Sequence, residues 1–440
     1  MPTNVALTGL AKDLAAREAG GKPVRIGLVG AGEMGTDIVS RVAHMSGIRI
    51  GAISELNPLA AAKAVEIAYG DALLAVNAAS SDAANAAMES GRIAVTDDVR
   101  VLLESGLIDV VVDATGVPAV GAEIGLSAME RGKHLVMMNV EADVTIGAYL
   151  RSEAERLGVV YSLGAGDEPS ACMELVDFVS AMGHRIVCAG KGKNNPLNID
   201  ATPDAYEAEA VRRHMNPRML VEFVDGSKTM VEMAAIANAT GLTPDKPGMH
   251  GPACSRDELN SVLAPASAGG LLSSGEGRVD YTIGKGVAPG VFVVAEMDHP
   301  RIRERMEDLK MGKGPYFTFF RPYHLTSLEV PLTCARVVLY GKADMAPMPR
   351  PVAEVCAVAK RDLQPGDILD QIGEYCYRAW IMTSGEARAA GAIPCGLLTG
   401  AKVTASIKKG ELVTRANAAV PADSKIAILR ARQDAMLGIS

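Results

Sequence analysis

Residues 24–29 form a short, mostly apolar run that breaks into Gly30-Ala31-Gly32-Glu33-Met34-Gly35 and then into a helical pattern over 36–45. A strand-length run that closes in three glycines and opens a helix predicts the start of a βαβ unit. The rhythm recurs. Residues 48–54 read as a second strand ending at Glu55, and 108–113 as a strand apolar enough to be buried on both faces. Further strands are predicted over 134–138 and 159–163. Helices are predicted over 57–91 (two, the second capped by Ser80-Ser81-Asp82), 120–131 and 146–157, with a short amphipathic helix over 3–17 before them all. Alternating strands and helices predict an α/β, doubly wound, parallel Rossmann sheet.

Past Gly164-Ala165-Gly166-Asp167-Glu168-Pro169 the pattern changes. A helix over 170–180, strands over 185–189, 220–224, 290–294 and 316–320, and a helix over 228–239 suggest an α+β domain on a mixed sheet; residues 243–278 carry no clear assignment. A helix over 326–340 is expected to bring the chain back to the first domain. Pro347-Met348-Pro349-Arg350-Pro351 reads as an extended linker. Short β-like runs follow over 352–420, with a helix over 423–437. The expected domains are therefore 1–166 completed by 326–340, then 167–325, then a small β-rich domain over 352–440.

Length and charge narrow the picture further. At 440 residues two or three domains are expected, and a net charge of -8 argues against nonspecific nucleic-acid binding. Seven scattered cysteines with no Cys-x-x-Cys predict free thiols, which suits a cytoplasmic protein. The N-terminus lacks the pattern of a signal peptide, and no apolar run approaches the roughly 18 residues a membrane helix needs.

The glycine run has the context of a dinucleotide fingerprint. Gly30 would form the tight turn, Gly32 would admit a pyrophosphate, Gly35 would let helix pack on strand, and the helix N-terminus would face the phosphates, with Ala31, Glu33 and Met34 completing the cofactor loop. Glu55 lies about twenty residues beyond Gly35, where a carboxylate accepts from the adenosine ribose and repels a 2'-phosphate, which favours NAD over NADP. The same carboxylate can instead cap the helix after Asn57-Pro58. Ala114, Thr115 and Gly116 follow a strand at its ligand-binding end, and Asn139 and Glu141 fall at the nicotinamide edge.

These motifs, with Met137-Met138-Asn139-Val140-Glu141-Ala142-Asp143, Gly190-Lys191-Gly192-Lys193-Asn194-Asn195-Pro196 and Arg321-Pro322-Tyr323-His324-Leu325-Thr326, resemble the homoserine-dehydrogenase-like oxidoreductases with a C-terminal SAF domain. Ala359 to Gly366 and Ile407 to Glu411 carry the SAF-like pattern. The chain is most similar to the 1-deoxy-D-xylulose 5-phosphate reductoisomerase-like (DRL) enzymes. That resemblance implies NADPH-dependent formation of 2-C-methyl-D-erythritol 4-phosphate, an isoprenoid precursor. Glu55 departs from the NADPH expectation, and Val140-Glu141 stands where homoserine dehydrogenases place a lysine after the asparagine, so homoserine is not the expected substrate.

Such chemistry needs an anion cradle, a group that polarises a hydroxy-ketone, and proton donors. Lys191, Lys193, Asn194 and Asn195 offer cations and amides, or a solvated basic turn. Asp167 and Glu168 suit a hard cation such as Mg²⁺ or Mn²⁺, acid/base work, or simply the start of a helix; Glu141 shares the ambiguity. His324 can donate a proton, bind phosphate or be structural. Lys228, Lys313 and Arg321 are weaker anion-binding candidates. The expected partner is a small phosphorylated or hydroxylated substrate, without nucleic acid or membrane, in a homo-oligomer. The alternatives are a dehydrogenase of another small hydroxy-acid or sugar-derived substrate, and a nucleotide-sensing binding module.

Overall fold

A computed structural model describes residues 5–439; the first residues of the expected N-terminal helix, Thr3 and Asn4, lie outside the described residues. The chain divides into two compact units, Met1–Asp167 with Leu325–Ala346, and Glu168–His324 with Pro347–Ser440.

The first unit runs α1 (Gly9–Ala19), β1 (Val24–Val29), α2 (Glu33–Val42), β2 (Ile48–Ser54), α3 (Pro58–Tyr69), β3 (Ala75–Asn77), α4 (Ser81–Glu89), β4 (Ile93–Thr96), α5 (Val99–Glu104), β5 (Val110–Asp113), α6 (Pro118–Glu130), β6 (His134–Met137), α7 (Val140–Leu157) and β7 (Tyr161–Leu163). The seven strands pair in the order β3-β4-β2-β1-β5-β6-β7, every neighbour parallel. This is the doubly wound sheet that the alternating pattern predicts. Val110, Val111 and Val112 in β5 are wholly buried, as β-branched residues covered on both faces should be. Side-chain caps start α3, α4, α5 and α7. Asn57 Oδ1 accepts from the Leu59 N–H at 3.2 Å, and Ser80 Oγ accepts from that of Ala83 at 3.2 Å. The return helix, Val330–Tyr340, adds Val330, Cys334 and Val337 to the core around Ile26, Leu28 and Ile38.

Three boundaries differ from expectation. The helical stretch 57–91 is interrupted: Gly70 ends α3 in a left-handed conformation, Asp71 caps a short turn, and β3 joins the sheet edge. The return helix begins at Val330 rather than 326, because Ser327 takes a φ of 66° and its hydroxyl donates to Asp37 Oδ2 at 2.8 Å. Helix α7 starts at Val140, six residues before the expected 146. Its cap is Asn139, whose Oδ1 accepts from the Ala142 N–H at 3.2 Å. Glu141 and Asp143 thus sit in its first turn, where the helix dipole favours negative charge.

The second unit begins with α8 (Glu168–Ala181), β8 (Arg185–Gly192), α9 (Pro203–Arg212), α10 (Pro217–Val224), α11 (Ser227–Thr240) and β9 (Thr243–Pro244). It continues through α12 (Leu259–Val262), β10 (Arg278–Thr282), β11 (Val291–Glu296), α13 (Pro300–Asp308) and β12 (Tyr316–Arg321). Its mixed sheet has the order β12-β11-β8-β10-β9, with β11 antiparallel to both neighbours. The strand expected over 220–224 is instead helix α10. Asn216 caps it, Pro217 occupies its first turn, and Leu220, Val221 and Val224 bury one helical face beside Ala210 of α9. Strand β8 also runs past 189 to Gly192, which takes Lys191 out of a loop and into the sheet.

Strands β13 (Ala353–Ala359) and β14 (Tyr377–Thr383) form an antiparallel ribbon in the same unit. Beyond them the β structure is short, chiefly Lys402–Val403 paired with Ala418–Ala419, before the final helix Lys425–Leu437. Arg430 of that helix pairs with Glu354 of β13 at 2.5 Å. Asn238 Oδ1 in α11 accepts from the backbone N–H groups of Val352 and Ala353, both at 2.9 Å. All seven cysteines are buried and unbridged. Among the described residues no helix is long and apolar enough to cross a membrane.

One buried acid gives the first unit a pH signature. Asp143 Oδ1 accepts from the Tyr161 hydroxyl at 2.7 Å, and burial pushes the Asp143 carboxyl up from 3.8 to about 7. The folded chain therefore holds this proton more tightly than the unfolded chain. The contribution to stability is greatest below pH 4, declines as pH rises through the window from 4 to 7, and is lost above it. Asp143→Asn should remove that decline, with the variant gaining up to about 4 kcal/mol on wild type between pH 4 and pH 8. Denaturant unfolding at both pH values measures it; an unchanged difference would contradict the assignment.

Candidate functional site

In the first unit the glycines do what the fingerprint requires. Gly30 has a φ of 97°, and a Cβ there would stand 2.7 Å from the Ala114 carbonyl oxygen. A Cβ on Gly35 would stand 2.2 Å from the Gly30 oxygen, so helix and turn touch through bare backbone. Gly32 is different: it is exposed, with nothing within 4 Å of where its Cβ would be. The turn is closed beneath and open above, and it leads into the N-terminus of α2, which is suited to a diphosphate. Met34 is half-buried and Glu33 exposed in the first turn of that helix.

Glu55 closes this turn from the side. Its Oε2 accepts from the Ala31 N–H at 2.8 Å and its Oε1 from the Asn57 N–H at 3.2 Å. The carboxylate tethers the glycine turn and braces the residue that caps α3. At the end of β5, Asp113 Oδ1 accepts from the Thr115 hydroxyl at 2.7 Å, and burial raises the Asp113 carboxyl above its ordinary range. Ala114 and Thr115 are half-buried and Gly116 is exposed. Asn139 spends its oxygen on the α7 cap, while its buried Nδ2 has no hydrogen-bond partner. A buried amide with spare donors at the carboxyl end of β6 fits a cofactor rich in acceptors. Glu141 is half-buried in the first turn of α7.

In the second unit the Gly-Lys-Gly-Lys sequence is resolved by the two-residue period of a strand. A Cβ on Gly190 would collide with the Asp280 carbonyl, and one on Gly192 with that of Val287. Lys191 and Lys193 project to the other face. Lys191 is buried, donating to Glu168 Oε1 at 2.7 Å and pairing with Glu232 of α11, whose side chain is wholly buried. Burial alone would lower the Lys191 pKa, but Glu168 and Glu232 outweigh it and raise it well above the ordinary lysine value. His324 Nε2 stands 3.4 Å from Glu168 Oε1. The structure thus gathers Glu168, Lys191, Glu232 and His324 into one largely buried cluster. Asp167, the last residue of the first unit, directly precedes Glu168 in the chain.

Lys193 differs from Lys191. Its ammonium donates only to carbonyls, Asn195 at 2.9 Å and Phe223 at 2.5 Å, and burial, aided by Lys191, lowers its pKa to about 8. Asn194 is exposed, and Asn195 Oδ1 accepts from Arg213 at 3.2 Å. Lys228 is half-buried in the first turn of α11. Lys313 is exposed, and Arg321 pairs with Glu174 at 2.9 Å while lying over the Tyr323 ring. Sequence reading missed Glu232. Its signal was an acid set in the apolar run Met230-Val231-Glu232-Met233-Ala234, where an unpaired carboxylate would be costly.

Residues 30–163 match the family model for the homoserine dehydrogenase NAD binding domain, and residues 166–330 that for the catalytic domain of oxidoreductase DRL. The chain is an NAD(P)-dependent oxidoreductase. No curated protein matches the oxidoreductase over its sequence. Among solved structures it resembles a probable dehydrogenase from Thermotoga maritima, at 13% identity and a TM-score of 0.41 over 73% of this chain and 90% of that one. It also resembles scyllo-inositol dehydrogenase from Lactobacillus casei, solved with NAD(H) and scyllo-inositol, at 17% identity and a TM-score of 0.35 over 62% and 74% of the two chains. The WlbA dehydrogenase from Bordetella pertussis, solved with NADH and UDP-GlcNAcA, aligns at 17% identity and a TM-score of 0.29 over 42% of this chain and 47% of that one. Identities and scores this low say nothing of the substrate.

Glu55 gives the cofactor site a test. Replacing Glu55 with Arg should raise the ratio of kcat/KM for NADPH over NADH by about tenfold or more, since a repelling carboxylate gives way to a phosphate ligand. An unchanged ratio in steady-state kinetics would show that Glu55 serves the loop alone.

Proposed function

We propose that the oxidoreductase acts as a 1-deoxy-D-xylulose 5-phosphate reductoisomerase-like enzyme, forming 2-C-methyl-D-erythritol 4-phosphate. The observation that carries this reading is the largely buried Glu168–Lys191–Glu232–His324 cluster within the stretch that matches the DRL catalytic domain.

Lys191 stays protonated throughout the working pH range, so its role is electrophilic. Its ammonium polarises the substrate carbonyl and carries the developing oxyanion, with Glu168 and Glu232 fixing its direction. Skeletal rearrangement first removes a hydroxyl proton, and the Glu168–His324 pair is suited to take it. The glycine turn of the first unit would hold NADH or NADPH, which would supply the hydride needed to reduce the aldehyde that the rearrangement leaves. The proton first removed passes to the oxyanion held by Lys191, and His324 delivers a second proton, drawn from solvent, to the alkoxide that reduction leaves, so one aldehyde becomes one alcohol with one nicotinamide oxidised and one proton consumed. Lys193 remains cationic below pH 8 and binds the substrate phosphate. For the cofactor, the tether from Glu55 to the glycine turn supports NADH, against the NADPH implied by resemblance. Glu168 and Glu232 already hold an ammonium, so Mg²⁺ or Mn²⁺ enters this reading as an addition to Lys191.

The reading predicts oxidation of NADH or NADPH on addition of 1-deoxy-D-xylulose 5-phosphate, followed at 340 nm; no oxidation of either would sink it. Glu232→Gln and His324→Ala should each lower kcat by about 10²–10⁴-fold. A second expectation concerns pH. Because Lys193 loses its proton near pH 8, kcat/KM should fall above that value, and Lys193→Arg should push the fall well beyond pH 9. A profile whose alkaline limb stays put in Lys193→Arg would remove Lys193 from the site.

A further inference from the structure

The head of α11 gathers positive charge from two parts of the second unit. Lys193 reaches it by donating to the Phe223 carbonyl, two residues before Asp225. Asp225 Oδ1 accepts from the Ser227 N–H at 2.8 Å, and Ser227 Oγ accepts from the N–H of Ala379 at 2.9 Å. That last bond brings β14 of the C-terminal module, with its Arg378, to the same turn.

Arg378 is half-buried, with its guanidinium 4.6 Å from the Trp380 ring centroid. Among the described residues its guanidinium makes no hydrogen bond and no ion pair. The acids nearby are spent elsewhere. Asp225 holds Lys360 at 2.7 Å as well as Ser227, and Asp200 pairs with Lys409 at 2.9 Å. The surrounding rings are fixed: a Cβ on Gly248 would strike Trp380 and one on Gly251 would strike Tyr281, so this loop lies flat against both. Burial lowers the Arg378 pKa, with Asp225, Tyr281 and Asp200 opposing it. Lys193 adds an ammonium with three donors, of which described carbonyls take two. A desolvated guanidinium fork, and an ammonium anchored at the same turn with a donor to spare, neither of them in an ion pair among the described residues, match an oxyanion with several acceptor oxygens.

We propose that Arg378 of the C-terminal module and Lys193 of the catalytic portion together grip one anionic group of the substrate, a phosphate monoester. The inference deepens the reading above and rests on it for the identity of the anion. It makes the C-terminal module a contributor to substrate binding, with Arg378 a specificity-determining residue.

Titration calorimetry of inorganic phosphate into the full-length protein tests this, with saturating NADH present to cover the glycine turn of the first unit. Arg378→Gln should weaken phosphate binding about ten- to a hundred-fold, as loss of a charge-assisted contact does, and Lys193→Gln should weaken it comparably. Arg361→Gln, on an exposed part of the module, should leave it unchanged, and NADH affinity should stay constant in all three. Arg378→Lys keeps charge and stem without the fork and should bind several-fold more weakly; it decides the matter if the glutamine variant does not fold. Equal phosphate affinity in the folded Arg378 variants, or no phosphate binding by wild type, overturns the proposal. Arg378-dependent phosphate binding without turnover of 1-deoxy-D-xylulose 5-phosphate keeps the subsite and discards that substrate. Turnover with an unchanged KM in Arg378→Gln does the reverse.

Discussion

The second unit is built around one buried cation. Lys191 is almost wholly buried, and its charge is tolerable because Glu168 and Glu232 meet it from two different helices. Removing one partner of such a pair costs about 3–5 kcal/mol, chiefly because the other charge is left buried and alone. That constraint fixes the relation of β8, α8 and α11. It also fixes His324, which reaches the cluster through Glu168. Replacement of the set by apolar residues would cost the fold little, and the retained charges are therefore better explained by chemistry than by stability.

The first unit follows a different logic, in which backbone rather than side chains is placed. Gly30 and Gly35 are required by contact and Gly32 by openness, and these demands are visible in sequence as spacing. The doubly wound sheet was legible for the same reason, since a strand buried on both faces can only be written as a run such as Val110-Val111-Val112. Asn139 was legible as a position but not in its role. Only the observed start of α7 shows its oxygen committed to a cap and its amide left over.

What stayed hidden depended on distant partners. Residues 220–224 alternate too little to separate strand from helix, and the Asn216–Pro217 start decided the matter. The Gly190 to Asn195 stretch reads as a basic loop because lysines usually face water; the collisions that require Gly190 and Gly192 come from β10 and the turn before β11, both about a hundred residues away in sequence. Glu232 and Arg378 carried no motif at all. Each gains meaning from what the fold sets beside it, Lys191 for Glu232 and the Trp380 ring for Arg378.

The bond between Lys360 and Asp225 has a consequence for how such a chain can change over generations. Lys360 also donates to the Ala201 and Glu374 carbonyls, so a residue of the C-terminal module neutralises an acid at the head of α11. A descendant that shed the module would inherit Asp225 without its ammonium partner, keeping only the Ser227 N–H. It would therefore have to replace Asp225 in the same step, which binds the module and the catalytic portion into a single heritable piece.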